Sequence, residues 1–183
     1  MKTLLIDKKI AYDGTQLRSL FAYLDHNILG NSMVAFQGPC NVSFEHMVDG
    51  EDLLQQSAIC GSDMVHFIIE VFDESLTTGV LIQRLLASQI QNYIYDKTGT
   101  FLKREGDDLY LNDKKLSISI ATVSLSSVLV HFAVNVSNEG TPVKTCSLQD
   151  LKIESTVFAK DVLVIFQTEF LSIKEATYKV KTV

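Results

Sequence analysis

The sequence contains no tryptophan and only two prolines in 183 residues. It has no proline- or glycine-rich tract, no repeat and no low-complexity segment, so a linker between domains is not expected. One domain over residues 1–183 is expected instead. The three cysteines, Cys40, Cys60 and Cys146, are odd in number and lack metal-ligand spacing, which argues against a disulfide framework and a cysteine metal site. Basic residues are few. Sixteen Lys and Arg stand against 22 Asp and Glu, for a net charge of −6. Broad nucleic-acid binding needs a basic face that displaces counterions, and this balance argues against one. No apolar run approaches the ~20 residues of a membrane span. The N-terminus M-K-T-L-L-I-D-K-K-I meets charge too early for a signal-peptide core of ~7–15 apolar residues. A cytoplasmic protein outside the membrane is the expectation.

What is present is an ordinary globular composition, 46% hydrophobic and 21% charged. Residues 3–6 and 9–12 read as a short hairpin or edge strand. After the turn Asp13-Gly14-Thr15, Leu17, Leu20, Phe21 and Leu24 recur at helical spacing and predict a helix over 16–29, stopped by Gly30-Asn31. A buried strand is expected over 32–36, broken by Gln37-Gly38-Pro39-Cys40. Glu45, Asp49, Glu51 and Asp52 make the next stretch acidic, a solvated surface with a short helix over 50–56.

A strand over 64–72 places His66, Ile68 and Glu70 on one face and Val65, Phe67, Ile69 and Val71 on the other. The triplet V-H-F recurs at Val130-His131-Phe132. If the two strands are neighbours, His66, His131 and Glu70 converge. That group suits acid–base chemistry or a metal, although a strand histidine is more often a hydrogen-bonded core residue. The helix expected over 77–92 is capped by Thr77 or Thr78, with Leu81, Leu85, Leu86 and Ile90 as its apolar stripe. Arg84 falls inside that stripe. A buried guanidinium needs either an internal carboxylate or an anionic ligand. Residues 145–150 are expected to begin a short helix. Val157-Phe158-Ala159 reads as strand or helix, 160–172 as a helix, and K-V-K-T-V as a terminal strand or tail.

The stretch 104–135 is the most informative. A strand over 108–111, the turn Asn112-Asp113 and a strand over 114–123 form a hairpin. Alternation places Lys115, Ser117, Ser119 and Ala121 on one face and Leu116, Ile118 and Ile120 on the other. In a third strand, over 128–136, Val130, Phe132, Val134 and Val136 face the core, and His131, Ala133 and Asn135 face away. Small residues beside a lysine suit either a cleft floor or a solvated sheet face.

This stretch resembles the catalytic core of biotin and lipoate protein ligases, which share the class II aminoacyl-tRNA synthetase fold. The ligase pattern K-W-P-N-D, a turn, K-K-I-A-G and a later G-x-G-x-N lies along it. Arg104 matches the first lysine, Asp107 the Asn and Asp108 the Asp. Lys115 matches the lysine that polarises acyl and phosphate oxygens, and Asn135 matches the last Asn. Ile118, His131 and Ala133 stand where the ligases carry glycines, and the R-G-R-G-R-type loop is missing. The segments Y-D-G-T-Q-L-R-S-L, F-Q-G-P-C, H-F-I-I-E, Q-R-L-L and G-D-D-L-Y-L resemble domain-of-unknown-function family 366 along nearly the whole chain.

The resemblance implies an α+β fold with a single mixed, mostly antiparallel sheet and helices mainly on one face. It implies ATP with magnesium as cofactor and a small carboxylate as substrate, joined as an acyl-adenylate. Lys115 and Arg104 are the catalytic candidates. Asp107, Asp108, Ser117, Ser119, His131, Asn135, Gln37 and Arg84 are candidates for contact with a nucleotide or acyl ligand. The alternative is a binding or regulatory module that has lost adenylation. A third reading uses His66, His131 and Glu70 in hydrolytic or metal-assisted chemistry. Association as a homodimer is compatible with each reading.

Overall fold

The structure, a computed structural model, describes residues 1–56 and 58–181. Strand β1 (Lys2–Ile6) is followed, after a long loop, by helix α1 (Phe21–His26) and strand β2 (Ser32–Val42). Helix α2 (Gly50–Gln55) is short, and strand β3 (Ile59–Phe72) leads into the long α3 (Leu76–Thr98). Strands β4 (Lys103–Glu105), β5 (Asp108–Leu111) and β6 (Lys114–Lys115) precede β7 (Ser117–Val123) and β8 (Ser127–Asn135), and α4 (Ser155–Tyr178) follows. Five strands form one sheet in the order β1-β2-β3-β8-β7, with β1 parallel to β2 and every other pair antiparallel. β4, β5 and β6 form a small antiparallel sheet. The α+β class, the mixed and mostly antiparallel sheet and the helices mainly on one face are as the sequence implies, α1 lying on the other face.

Period-two alternation builds two cores. On one face Met33, Phe67, Val130, Phe132 and Val134 pack against Leu86, Ile90, Phe158 and Phe166 of α3 and α4. Each fully buried side chain of this kind contributes about 1.5–3 kcal/mol relative to exposure. The opposite face carries a smaller cluster, in which Val34, Phe36, Ile68 and Ala133 lie with Tyr12 and Phe21. β8 is buried at every position because both faces are covered and strands flank it on both sides.

Several elements depart from their sequence expectation. The helix expected over 16–29 shrinks to α1, because Leu20 takes a left-handed backbone (φ 63°) as its N-cap and Asn27 (φ 56°) ends it. β2 continues through Gln37-Gly38-Pro39-Cys40, and the break is only a register shift between Gly38 and Cys40. Such an irregularity accommodates a proline inside a strand. Residues 9–12, expected with 3–6 as a short hairpin or edge strand, form no hairpin and run along β2, with a parallel bridge between Tyr12 and Cys40. Ile10 donates its N–H to the carbonyl of Gln37, and Tyr12 donates to the carbonyl of Pro39 at 2.8 Å. Gly38 is required there, since a Cβ would sit 2.0 Å from the carbonyl oxygen of Ile10.

α3 starts earlier than expected and is capped by Ser75, whose hydroxyl accepts from the N–H of Thr78. Its buried face is Ile82, Leu86, Ile90 and Ile94, and Leu81 is exposed. The strand expected over 114–123 is cut at Leu116, so Lys115 belongs to the small sheet and Ser117 to the large one. Residues 145–150 form a bridge and a turn, not a helix. Residues 157–159 lie within α4. The last two residues of K-V-K-T-V lie outside the described residues. No helix among the described residues is long and apolar enough to cross a membrane.

Candidate ligand pocket

A pocket of about 330 Å³ opens on the sheet face opposite α3 and α4, at the β7 edge. Its floor is Ile118, Ile120 and His131, which share a face because Ile120 pairs with His131 across β7 and β8. Tyr12 and Leu17 from the first loop form one side. The segment 46–52 forms another, held against the first loop by Gly14, where a Cβ would lie 2.7 Å from Cβ of His46. Asp107, Asp108 and Lys115 come from the small sheet and its connection.

The electrostatics are lopsided. Five carboxylates line the pocket, those of Asp49, Glu51, Asp52, Asp107 and Asp108, against the single ammonium of Lys115. Lys115 Nζ lies 2.8 Å from Asp108 Oδ2, with both side chains less than a third exposed. Asp49 caps α2, accepting from the N–H groups of Glu51 and Asp52. Burial, followed by the neighbouring Asp49, pushes the Asp52 carboxyl above its ordinary value. The acidic stretch expected as solvated surface therefore rims a pocket.

The two histidines meet. β3 and β8 are neighbours, and Ile68 lies opposite His131, which brings His66 diagonally to it. His66 Nδ1 and His131 Nε2 are 3.1 Å apart, and His66 Nε2 donates to the carbonyl of Gly38 at 3.2 Å. Tyr12 stacks on His131 with ring centroids 3.7 Å apart. Desolvation drives the His66 pKa down to about 4. Burial, then the neighbouring His66, holds His131 well below its ordinary value. Both rings are neutral.

Glu70 does not join them. It lies four residues from His66 along β3, about 13 Å at ~3.3 Å per residue, and diagonal to His131 across the β3–β8 pairing. There it accepts from the N–H of Leu20 and the hydroxyls of Ser19 and Ser127. Its role is to seat the start of α1. The expected convergence of His66, His131 and Glu70 is thus corrected, because the Glu70 carboxylate is taken up by Leu20, Ser19 and Ser127 and not by either imidazole. Among the described residues no group of three or more His, Cys, Asp or Glu is arranged to hold a metal ion.

Of the remaining candidates, Asp107, Asp108, Lys115, Ser119 and His131 line the pocket. Ser117 does not. It pairs with Val134 on the helix-packed face, is fully buried, and accepts from the N–H of Leu109. The hydroxylated face of β7 is therefore the helix side, and the isoleucines form the pocket floor. Ser119 reaches the rim only because β7 is an edge strand. Its hydroxyl donates to Asp107 at 2.6 Å, and Gln83 of α3 donates to both.

Asn135 lies behind Lys115, donating to the carbonyls of Lys115 and Cys146, and so orients β6. Gln37 lies outside the pocket, donating to Asp63 and accepting from Ser155. Arg104 is exposed and donates to the carbonyl of Gly106. Arg84 is exposed, so the premise of a buried guanidinium fails. Sequence reading missed Tyr12 and Gln83. Tyr12 was visible only as part of Y-D-G-T, and Gln83 as the neighbour of the more conspicuous Arg84.

The family model described as a domain of unknown function (DUF366) matches residues 1–181. The chain belongs to the DUF366 family. An uncharacterized protein of Methanocaldococcus jannaschii is 34% identical over 160 residues, which is 84% of this DUF366 chain and 72% of the relative. A protein of unknown function from Pyrococcus horikoshi superposes with a TM-score of 0.96 at 39% identity, covering 100% of this chain and 98% of the other. A mutant biotin protein ligase from Aquifex aeolicus, in complex with biotin, gives a TM-score of 0.64 at 14% identity over 96% of this chain and 72% of the ligase. A bi-partite lipoate protein ligase from Thermoplasma acidophilum gives 0.60 at 10% identity over 93% and 83% of the two chains. The DUF366 chain thus has the class II synthetase-like fold of biotin and lipoate ligases. At these identities the likeness concerns the fold alone.

Proposed function

We propose that this DUF366 protein binds a small molecule in the pocket between Tyr12, α2 and the β7 edge, without adenylating it. The observation that carries this reading is the ion pair between Lys115 and Asp108 at 2.8 Å, set among four further carboxylates. A volume of about 330 Å³ suits a small ligand. Adenylation needs uncompensated cationic groups where phosphate and acyl oxygens gather charge. Here the one ammonium is already neutralised. A like charge ~4 Å from one of these carboxylates costs on the order of 4 kcal/mol at an effective dielectric constant of ~20. Free thiols at Cys40, Cys60 and Cys146 accord with action in the cytoplasm.

A second reading keeps the ligase chemistry, with ATP and magnesium activating a small carboxylate. It is favoured by the position of Lys115 on the pocket wall beside Asp107 and Asp108, the residues that match the ligase pattern. ATP–pyrophosphate exchange, measured with magnesium and a panel of short-chain and ring-bearing carboxylates, separates the two. The proposal expects no exchange above background and a small molecule retained through mild purification, seen by native mass spectrometry. Exchange that disappears in Lys115→Ala would establish the second reading instead.

A further inference from the structure

We infer that the pocket selects a small organic cation carrying N–H donors, an amidinium, guanidinium or protonated amine, rather than an anion. This inference rests on reading the pocket as the ligand site. Its first support is a proton inventory. A backbone carbonyl only accepts, so the contact with Gly38 places the His66 proton on Nε2. The ring is neutral, because burial opposes its charge, and its Nδ1 is therefore a lone pair. His131 must donate to that lone pair from Nε2 across the 3.1 Å contact. The nitrogen left to His131 is Nδ1, also a lone pair, and it makes no hydrogen bond among the described residues. His131 is 3% exposed and lines the pocket. A lone pair without a protein partner, on a residue that lines the pocket, can accept from a ligand N–H.

The second support is independent and lies on other elements. The rim carboxylates of Asp49, Glu51 and Asp52 come from α2 and its cap, and Asp107 comes from the small-sheet connection. All of them accept. The ammonium of Lys115 is bonded to Asp108 and the Ser119 hydroxyl to Asp107, which leaves the His46 imidazole and the Tyr12 phenol as the other lining groups able to donate. A ligand that is cationic and donor-rich satisfies both the floor and the rim. The apolar floor of Ile118 and Ile120 leaves room for a hydrocarbon or aromatic body beside the charged head.

Three probes of one shape and different charge test this: benzamidine, benzamide and benzoate. Binding to the full chain is followed by ligand-observed NMR, together with the imidazole nitrogen shifts of His131. Benzamidine should bind at least tenfold more tightly than benzoate and shift the His131 Nδ1 resonance. Asp52→Asn, a change of nearly equal shape on a short helix, should weaken benzamidine at least threefold while the protein stays folded. Tighter binding of benzoate, with His131 shifting, would overturn the inference and leave the pocket reading standing. Failure of all three probes to bind would overturn both. A benzamidine affinity unchanged in Asp52→Asn would remove the rim from the argument and sink the charge selection.

Discussion

His66 and His131 share one proton between Nδ1 and Nε2 at 3.1 Å, although they stand 65 positions apart in the chain. The contact is built by the pairing of β3 with β8 and roofed by the ring of Tyr12. Burial keeps both rings neutral, and the contact itself would be lost only if both were protonated. Protonating either ring places a charge in a desolvated space.

That condition sets a pH dependence. The folded-state pKa of His66 is near 4, below the ordinary value of 6.5. Between those values the unfolded chain takes up a proton that the folded chain refuses. Stability is therefore fully present above pH ~6.5 and falls as the pH drops toward ~4, by about 3 kcal/mol from His66 alone. Urea unfolding at pH 7, 6 and 5 should show the decline, and a His66→Asn, His131→Asn chain should show a flatter profile from a lower starting point. Imidazole resonances that titrate near pH 6.5 in the folded protein would refute the buried neutral pair.

Glu70→Gln tests the separation of that carboxylate from the histidines. Oε1 accepts from Leu20, Ser19 and Ser127 and Oε2 from Leu20 as well, so the amide removes the charge and sets an NH2 group against the N–H of Leu20. A loss of about 1–3 kcal/mol is expected from the donors left unsatisfied. The imidazole resonances of His66 and His131 should not move. A shift of those resonances, with the fold intact, would place Glu70 in the same network after all.

Lys115 and Lys114 are adjacent, and the structure distinguishes them. Lys115 pairs with Asp108 and is partly buried, whereas Lys114 is exposed. Lys115→Ala should cost about 1 kcal/mol in stability, and Lys114→Ala close to nothing. For binding, Lys115→Ala removes the pocket's cation, so benzamidine affinity should hold or rise. A Lys115→Ala protein that loses a response to magnesium-ATP seen in the parent would instead support adenylate chemistry.

Gly38 and Gly50 offer a paired test of backbone approach. A Cβ on Gly38 would enter the carbonyl of Ile10, and nothing lies within 4 Å of one on Gly50. Gly38→Ala should destabilise by about 3 kcal/mol or more and displace Tyr12 from His131. Gly50→Ala, in the first turn of α2, should be neutral or stabilising by up to ~1 kcal/mol. Equal melting temperatures for the two variants would contradict the packing of residues 10–12 along β2.

The residues alone carried much of the architecture. Alternation in Val65-His66-Phe67 and Val130-His131-Phe132 assigned each histidine to the face opposite the helices, because strand period follows directly from side-chain type. The turn at Asn112-Asp113 followed from residues that tolerate a left-handed backbone, and Asn112 does adopt one (φ 54°). The motif match of Asp107, Asp108 and Lys115 located one wall of the pocket. Other features were decided only in three dimensions. Whether Ser117 faced ligand or core depended on the break at Leu116 and on its pairing with Val134, and a one-residue break exchanges the faces of everything beyond it. The neutralisation of Lys115 by Asp108, and the lone pair left on His131, depend on distances between strands brought together by the fold. Local periodicity sets which side of an element is apolar, whereas partner identity, proton placement and charge balance arise from contacts across the chain that no local pattern encodes.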